Sequence, residues 1–157
     1  MTTFPAMPPL RAHVDLDAPR DTVYACVVER EPYEYWTAAF SPGSTFRGTW
    51  RTGERLRFVA PPEQPGGPER GMISEVVRAE RPAAIELRHV GEFVGEAETA
   101  YEQRAHEHYY LEELPGGRTR FRVDMELPDE YHDSMAKLWD AAFALLREVA
   151  EGRAGRT

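Results

Sequence analysis

Polar and apolar residues alternate from His13 to Asp17, the pattern of a half-buried strand. The turn Ala18-Pro19-Arg20 leads to Asp21, placed to cap a helix in which Val23, Tyr24, Val27 and Val28 recur at helical spacing. Pro32 is expected to stop that helix. Tyr33, Trp36 and Phe40 carry an apolar stripe through a second short helix, closed by Ser41-Pro42-Gly43. The period then drops to two. Phe46, Gly48 and Trp50 alternate with polar residues, Arg51-Thr52-Gly53 reads as a turn, and Leu56 and Phe58 alternate with arginines. Pro61 to Pro68 is rich in proline and glycine and predicts a loop.

Met72 to Val77 is the next strand candidate, Glu80-Arg81-Pro82 a turn, and Ile85, Leu87 and His89 share one face of a further strand. Gly91 to Ala100 is weakly patterned. Gln103–Leu114 and Thr119–Leu127 are long strands joined by Pro115-Gly116-Gly117, a hairpin signal. In the second of them Phe121, Val123, Met125 and Leu127 point one way and Arg120, Arg122, Asp124 and Glu126 the other. In the first, Tyr109 and Leu111 read as inward, which sets Glu107 on the inner face too. After Asp129, the residues Tyr131, Met135, Leu138, Trp139, Ala142, Leu145, Leu146 and Val149 form a stripe of about five helical turns, with Gly152 as its stop.

The predicted order is a strand, two short helices, about six strands and one long C-terminal helix: an α+β architecture. A curved antiparallel sheet wrapped around that helix leaves space beneath it, with the two short helices closing one end. The inward set proposed to line such a cavity is Trp36, Trp50, Phe58, His89, Glu107, Tyr109, Met125, Trp139 and Phe143. The same aromatics at the same spacings also build an ordinary core, and periodicity does not separate a filled interior from a hollow one.

Length and charge narrow the class. The 157 residues suit one domain, with its core at about 13–152 and residues 1–9 as a loose leader. The formal charge of −8 disfavours nucleic acid and anionic membranes as partners. A local exception is the row Arg118, Arg120, Arg122, which could form a basic strip. No targeting segment or span of about 18 apolar residues is visible, so the expected location is cytoplasmic. Cys26 is the single cysteine, which rules out an intramolecular disulfide.

Candidate chemistry is sparse. His89 on an inner face could act as a base or hold a ligand carbonyl, or could simply be a hydrogen-bonded core histidine. Glu107, if inward, would be a desolvated carboxylate needing partners, and with His89 and Tyr109 could form a polar cluster in an apolar pocket. His106 and His108 share a strand face, but two surface histidines explain them better than a metal site, for which a third ligand is missing. Cys26 among Val23, Val27 and Val28 reads as a small hydrophobe. No nucleophile elbow, phosphate loop or dinucleotide fingerprint is present, so no catalytic residue, metal or cofactor is assigned.

Several landmarks occur together in order: Asp17-Ala18-Pro19 before a helix, Trp36, Gly48-Thr49-Trp50-Arg51-Thr52-Gly53, Gly71-Met72-Ile73-Ser74-Glu75-Val76 with Pro82, His89-Val90-Gly91-Glu92, Glu107-His108-Tyr109-Tyr110 with Gly116-Gly117-Arg118-Thr119, and Trp139 in the last helix. In these, from about His13 to Gly152, the chain resembles the START-like proteins related to the C-terminal domain of the Hsp90 ATPase activator and to the calicheamicin-resistance protein. The resemblance implies the helix-grip fold with an internal, often apolar cavity; it does not imply a reaction. The chain departs from the pattern at His108, where Asn is frequent. The activator's N-terminal domain and its Asn-rich Trp motif have no counterpart in a sequence without Asn, which argues against Hsp90 as a partner. The expected function is non-catalytic binding of a hydrophobic small molecule. The alternatives are a polyketide cyclase or aromatase working through His89, Glu107 and Tyr109, and a chaperone-linked interaction module. The sheet edges and the long helix leave a homodimer open.

Overall fold

The structure is a computed structural model and describes residues 5–155. Its elements follow the chain as β1 (Pro9–Leu16), α1 (Arg20–Val28), α2 (Arg30–Thr37), β2 (Thr45–Gly48), β3 (Arg55–Ala60), β4 (Arg70–Glu80), β5 (Ala84–Val94), β6 (Ala97–Leu114), β7 (Arg118–Glu126), a 3₁₀ turn (Asp129–Tyr131) and α3 (His132–Ala154). The strands form one sheet in the order β1-β7-β6-β5-β4-β3-β2, and every neighbouring pair is antiparallel. The two short helices and the long one lie on one face. This α+β arrangement is the one that the sequence resemblance implies.

Alternation decides which side chains meet α3. Phe121, Val123 and Met125 of β7 and Tyr109 and Leu111 of β6 are buried on the inner face, and α3 answers with Trp139, Ala142, Phe143, Leu146 and Ala150. The outward residues of β7 are tied down in pairs. Arg118 meets Asp17 at 2.5 Å, Arg120 meets Asp15 at 2.8 Å and Arg122 meets Glu112 at 2.9 Å, so each arginine of the expected basic strip faces an acid. A smaller cluster of Val59, Ile73, Val90 and Phe93 sits on the opposite face of the sheet from Phe58 and Met72.

Irregularities bend the sheet. Val77 is the extra residue where Val76 pairs with Leu87 and Arg78 with Glu86. Val90 is the extra residue where Ile73 pairs with Gly91 and Ser74 with His89, and on its other side His89 pairs with Ala105 and Gly91 with Ala100, so residues 101–104 stand opposite Val90 alone. Bulges of this kind sharpen the local twist and curl the strands. Gly71 lets β3 and β4 approach closely, since a Cβ there would lie 1.8 Å from the Phe58 carbonyl oxygen.

Several boundaries differ from those the pattern predicts. α1 begins at Arg20 with Pro19 at its N-cap, so Asp21 is not the cap; it lies in the first turn and pairs with Arg81 at 2.8 Å. Pro32 does not end a helix but sits in the first turn of α2, where the missing N–H is not needed. Phe40 falls in the turn after α2 rather than inside it. β1 starts at Pro9, inside the expected leader. The weakly patterned Gly91–Ala100 stretch is the far end of the β5–β6 hairpin, exposed enough that its outer positions carry no apolar signal. Gly152 remains helical, and α3 closes at Gly155.

Candidate functional site

Between the inner face of the sheet, α2 and α3 lies a cavity of about 160 Å³. Tyr33, Trp36 and Thr37 come from α2, Phe40 and Ser44 from the turn after it, Phe58 from β3 and Met72 from β4. His89 comes from β5, Glu107 and Tyr109 from β6, Met125 from β7, and Met135 and Trp139 from α3. The aromatic wall is held by mutual edge and tilted contacts. Trp139 lies 4.8 Å from Phe40, 6.0 Å from Trp36 and 6.1 Å from Tyr109, between ring centroids. Both buried indoles are satisfied: Trp36 Nε1 donates to the Cys26 carbonyl at 2.9 Å and Trp139 Nε1 to Met125 Sδ at 3.3 Å.

Of the nine residues expected to line a cavity, seven meet here: Trp36, Phe58, His89, Glu107, Tyr109, Met125 and Trp139. Trp50 and Phe143 do not reach it. Trp50 lies in the loop after β2, which Gly48 ends, and packs against Phe46, Tyr33 and Phe58 at 5.4, 6.0 and 5.6 Å. It therefore braces Phe58 from behind. Phe143 is one turn beyond Trp139 on α3, buried against Trp139 and Phe121.

The polar side of the cavity is a hydrogen-bonded chain. Ser74 Oγ lies 2.6 Å from His89 Nδ1, His89 Nε2 lies 3.0 Å from Glu107 Oε1, and the Tyr109 hydroxyl donates to Glu107 Oε2. His89 thereby links the Ser74 hydroxyl on β4 to the Glu107 carboxylate on β6. Burial pushes the Glu107 carboxyl up, but the hydrogen bonds from His89 and Tyr109 and the nearby imidazoles outweigh it and hold it below its ordinary value. Burial, followed by the Glu107 charge, drives the Tyr109 hydroxyl well above its ordinary range, and Tyr33 is raised by the same two causes.

Ser74 completes the chain and was not singled out from sequence. Its signal was parity, a hydroxyl on the same strand face as Met72 and Val76. Tyr33, Phe40, Met72 and Met135 were legible as apolar stripes, but which of them would face a hollow depends on how three elements meet. Ser74 is fully buried and not part of the cavity wall, so the serine, histidine and carboxylate do not form an exposed nucleophilic triad.

The other candidates lie elsewhere. The rings of His106 and His108 stack on the outer face at 4.3 Å, and His106 bonds Asp124 at 2.8 Å and Glu126 at 2.9 Å. Among the described residues no group of three His, Cys, Asp or Glu is placed to hold a metal ion. Cys26 is buried in α1, and desolvation pushes its thiol up to about 11. No helix of the described residues is long and apolar enough to cross a membrane.

A family model described as "Activator of Hsp90 ATPase homolog 1-like protein" matches residues 17–151. No curated protein matches the chain in sequence. Among solved structures, a Staphylococcus epidermidis protein aligns with a TM-score of 0.68 at 17% identity, covering 98% of this chain and 95% of that one. CalU16 from Micromonospora echinospora gives 0.65 at 16%, covering 93% and 76%. DynU16, from the dynemicin biosynthetic locus, gives 0.64 at 15%, covering 91% of this chain and 47% of its own. At these identities the likeness is one of fold.

Proposed function

This chain belongs to the activator of Hsp90 ATPase homolog 1-like family, and on that premise we propose that it is a non-catalytic protein holding a hydrophobic small molecule in its internal cavity. The observation that carries this reading is the wall itself: aromatic and thioether side chains from the sheet, α2 and α3 converge on one space of about 160 Å³ with few polar groups. A dry engineered cavity of about 150 Å³ holds a molecule the size of benzene. The volume matches that of a single ring, and the three methionines, Met72, Met125 and Met135, can repack around a somewhat larger guest.

The Ser74–His89–Glu107–Tyr109 chain favours a second reading, an enzyme of the cyclase or aromatase kind. DynU16's place in a biosynthetic locus would suit it. Two arguments weigh against it. A carboxylate held below its ordinary value is a weak general base and a phenol held above its range a weak general acid. The hollow is also smaller than the roughly 300 Å³ at which drug-sized ligands are usually accommodated.

The test is native mass spectrometry of the purified protein, with thermal shifts against single-ring aromatic compounds. A bound mass, or a rise of roughly 5–10 °C at about 100 times Kd, is expected. Met72→Trp, which fills the hollow, should abolish it. A broad panel with no bound mass and no shift would sink the reading.

A further inference from the structure

Resting on that proposed pocket, we infer that its ligand is an elongated, mostly apolar molecule that reaches past Met72 into a second hollow and ends there in an uncharged hydroxyl. The second hollow measures about 460 Å³. Tyr33, Ser44, Phe58 and Met72 line both it and the cavity, so the two spaces adjoin and these side chains stand at their boundary. Strand register explains the adjacency. Phe58, Met72 and Glu92 form one row across β3, β4 and β5, and Ala60, Arg70 and Val94 form the next row on the same face. The first row carries the boundary and the second lies beyond it.

Of the four boundary residues, three are held. The Tyr33 and Phe58 rings lie 6.1 Å apart and 6.0 and 5.6 Å from Trp50, and the Ser44 hydroxyl donates to the Ser41 carbonyl at 2.6 Å. Met72 is half-buried and unbranched, with three rotatable bonds, so it is the side chain that turns aside for a guest. Beyond it Ala60 and Val94 offer apolar surface, and Val94 is 55% exposed, which a guest in the hollow would cover. Polar groups complete that lining: Glu63, Glu92, Tyr101 and Arg70, whose Nε donates to the Pro61 carbonyl at 3.1 Å. Guanidinium and phenol donate and carboxylates accept, so a hydroxyl can meet any of them, whereas a charged end would face charges of both signs. The added room bears on size alone; the acidities of Glu107 and Tyr109 still argue against acid–base catalysis.

Two compounds test this: toluene, which fills the inner cavity alone, and 4-phenylbenzyl alcohol, long enough to occupy both spaces. Each is titrated by calorimetry into wild type and into Ala60→Trp and Val94→Trp, which fill the outer hollow and leave the cavity wall untouched. Wild type should bind 4-phenylbenzyl alcohol about tenfold or more tightly than toluene, the scale of burying a second ring. In both variants that gain should vanish while toluene binds as before. A crystal of the wild-type complex should show one ring in the cavity, the other over Ala60 and Val94, and Met72 in a changed rotamer between them.

Toluene binding wild type as tightly as the longer compound, or a gain that survives in both variants, overturns the inference and leaves the pocket standing. Failure of both compounds to bind wild type overturns both. The wild-type crystal decides the matter even if neither variant folds: an outer hollow left empty by the bound compound overturns the inference.

Discussion

At Glu107, burial opposes the charge and two donors restore it, so its worth to the fold depends on pH. The carboxyl is held below its ordinary value of 4.5 in the folded state, which makes it a stabilising group in its charged form. That contribution is present in full above the ordinary value and is lost as pH falls through the lower, folded one. Glu107→Gln should therefore be less stable than wild type near neutrality, and the gap should narrow as pH drops below 4.5, read from urea melts at paired pH values. A gap that widens on acidification would contradict the hydrogen-bonded geometry. The parity of Glu107 with Tyr109 and Leu111 was visible along the strand. The partner of His89, Ser74, was not, because that contact joins β4 to β5 through a register that a bulge at Val90 sets.

The elements show how far periodicity reaches. The stripe on α3 places Trp139, Ala142 and Leu146 against the sheet, and the alternation of β7 places Phe121, Val123 and Met125 opposite them. Both follow from spacing alone. Leu146 is fully buried on that stripe, so Leu146→Ala should cost about 2–5 kcal/mol in denaturant unfolding. Lys137→Ala on the exposed side should stay within about 0.5 kcal/mol. Equal effects would mean that α3 does not use this face. Where spacing misleads, the cause is local and physical. Trp50 alternates correctly with Phe46 and Gly48, yet Gly48 takes a φ of 107°, which ends β2 and turns the indole away from the hollow. Pro32 looks like a stop but occupies a helix turn where its lost donor costs nothing.

Across the whole molecule, one hydrophobic cluster joins α1, α2, α3 and the inner face of the sheet, from Leu16 through Trp36 and Leu87 to Ala150. We therefore expect a single cooperative transition, with near- and far-ultraviolet circular dichroism melting together. Separate transitions would show that the β3–β4 end, with its own small cluster of Val59, Ile73, Val90 and Phe93, unfolds independently. What the sequence by itself determined is the order of elements, the buried face of each and the inward parity of Trp36, Phe58, His89, Glu107, Tyr109, Met125 and Trp139, because each of these depends on neighbours a few residues away along the chain. Only the tertiary structure decided that these faces stand apart enough to leave about 160 Å³, that Trp50 and Phe143 fall outside it and that Ser74 completes the polar chain. Those facts depend on strand register, bulges and the distance between α3 and the sheet, which arise from contacts between residues far apart in sequence.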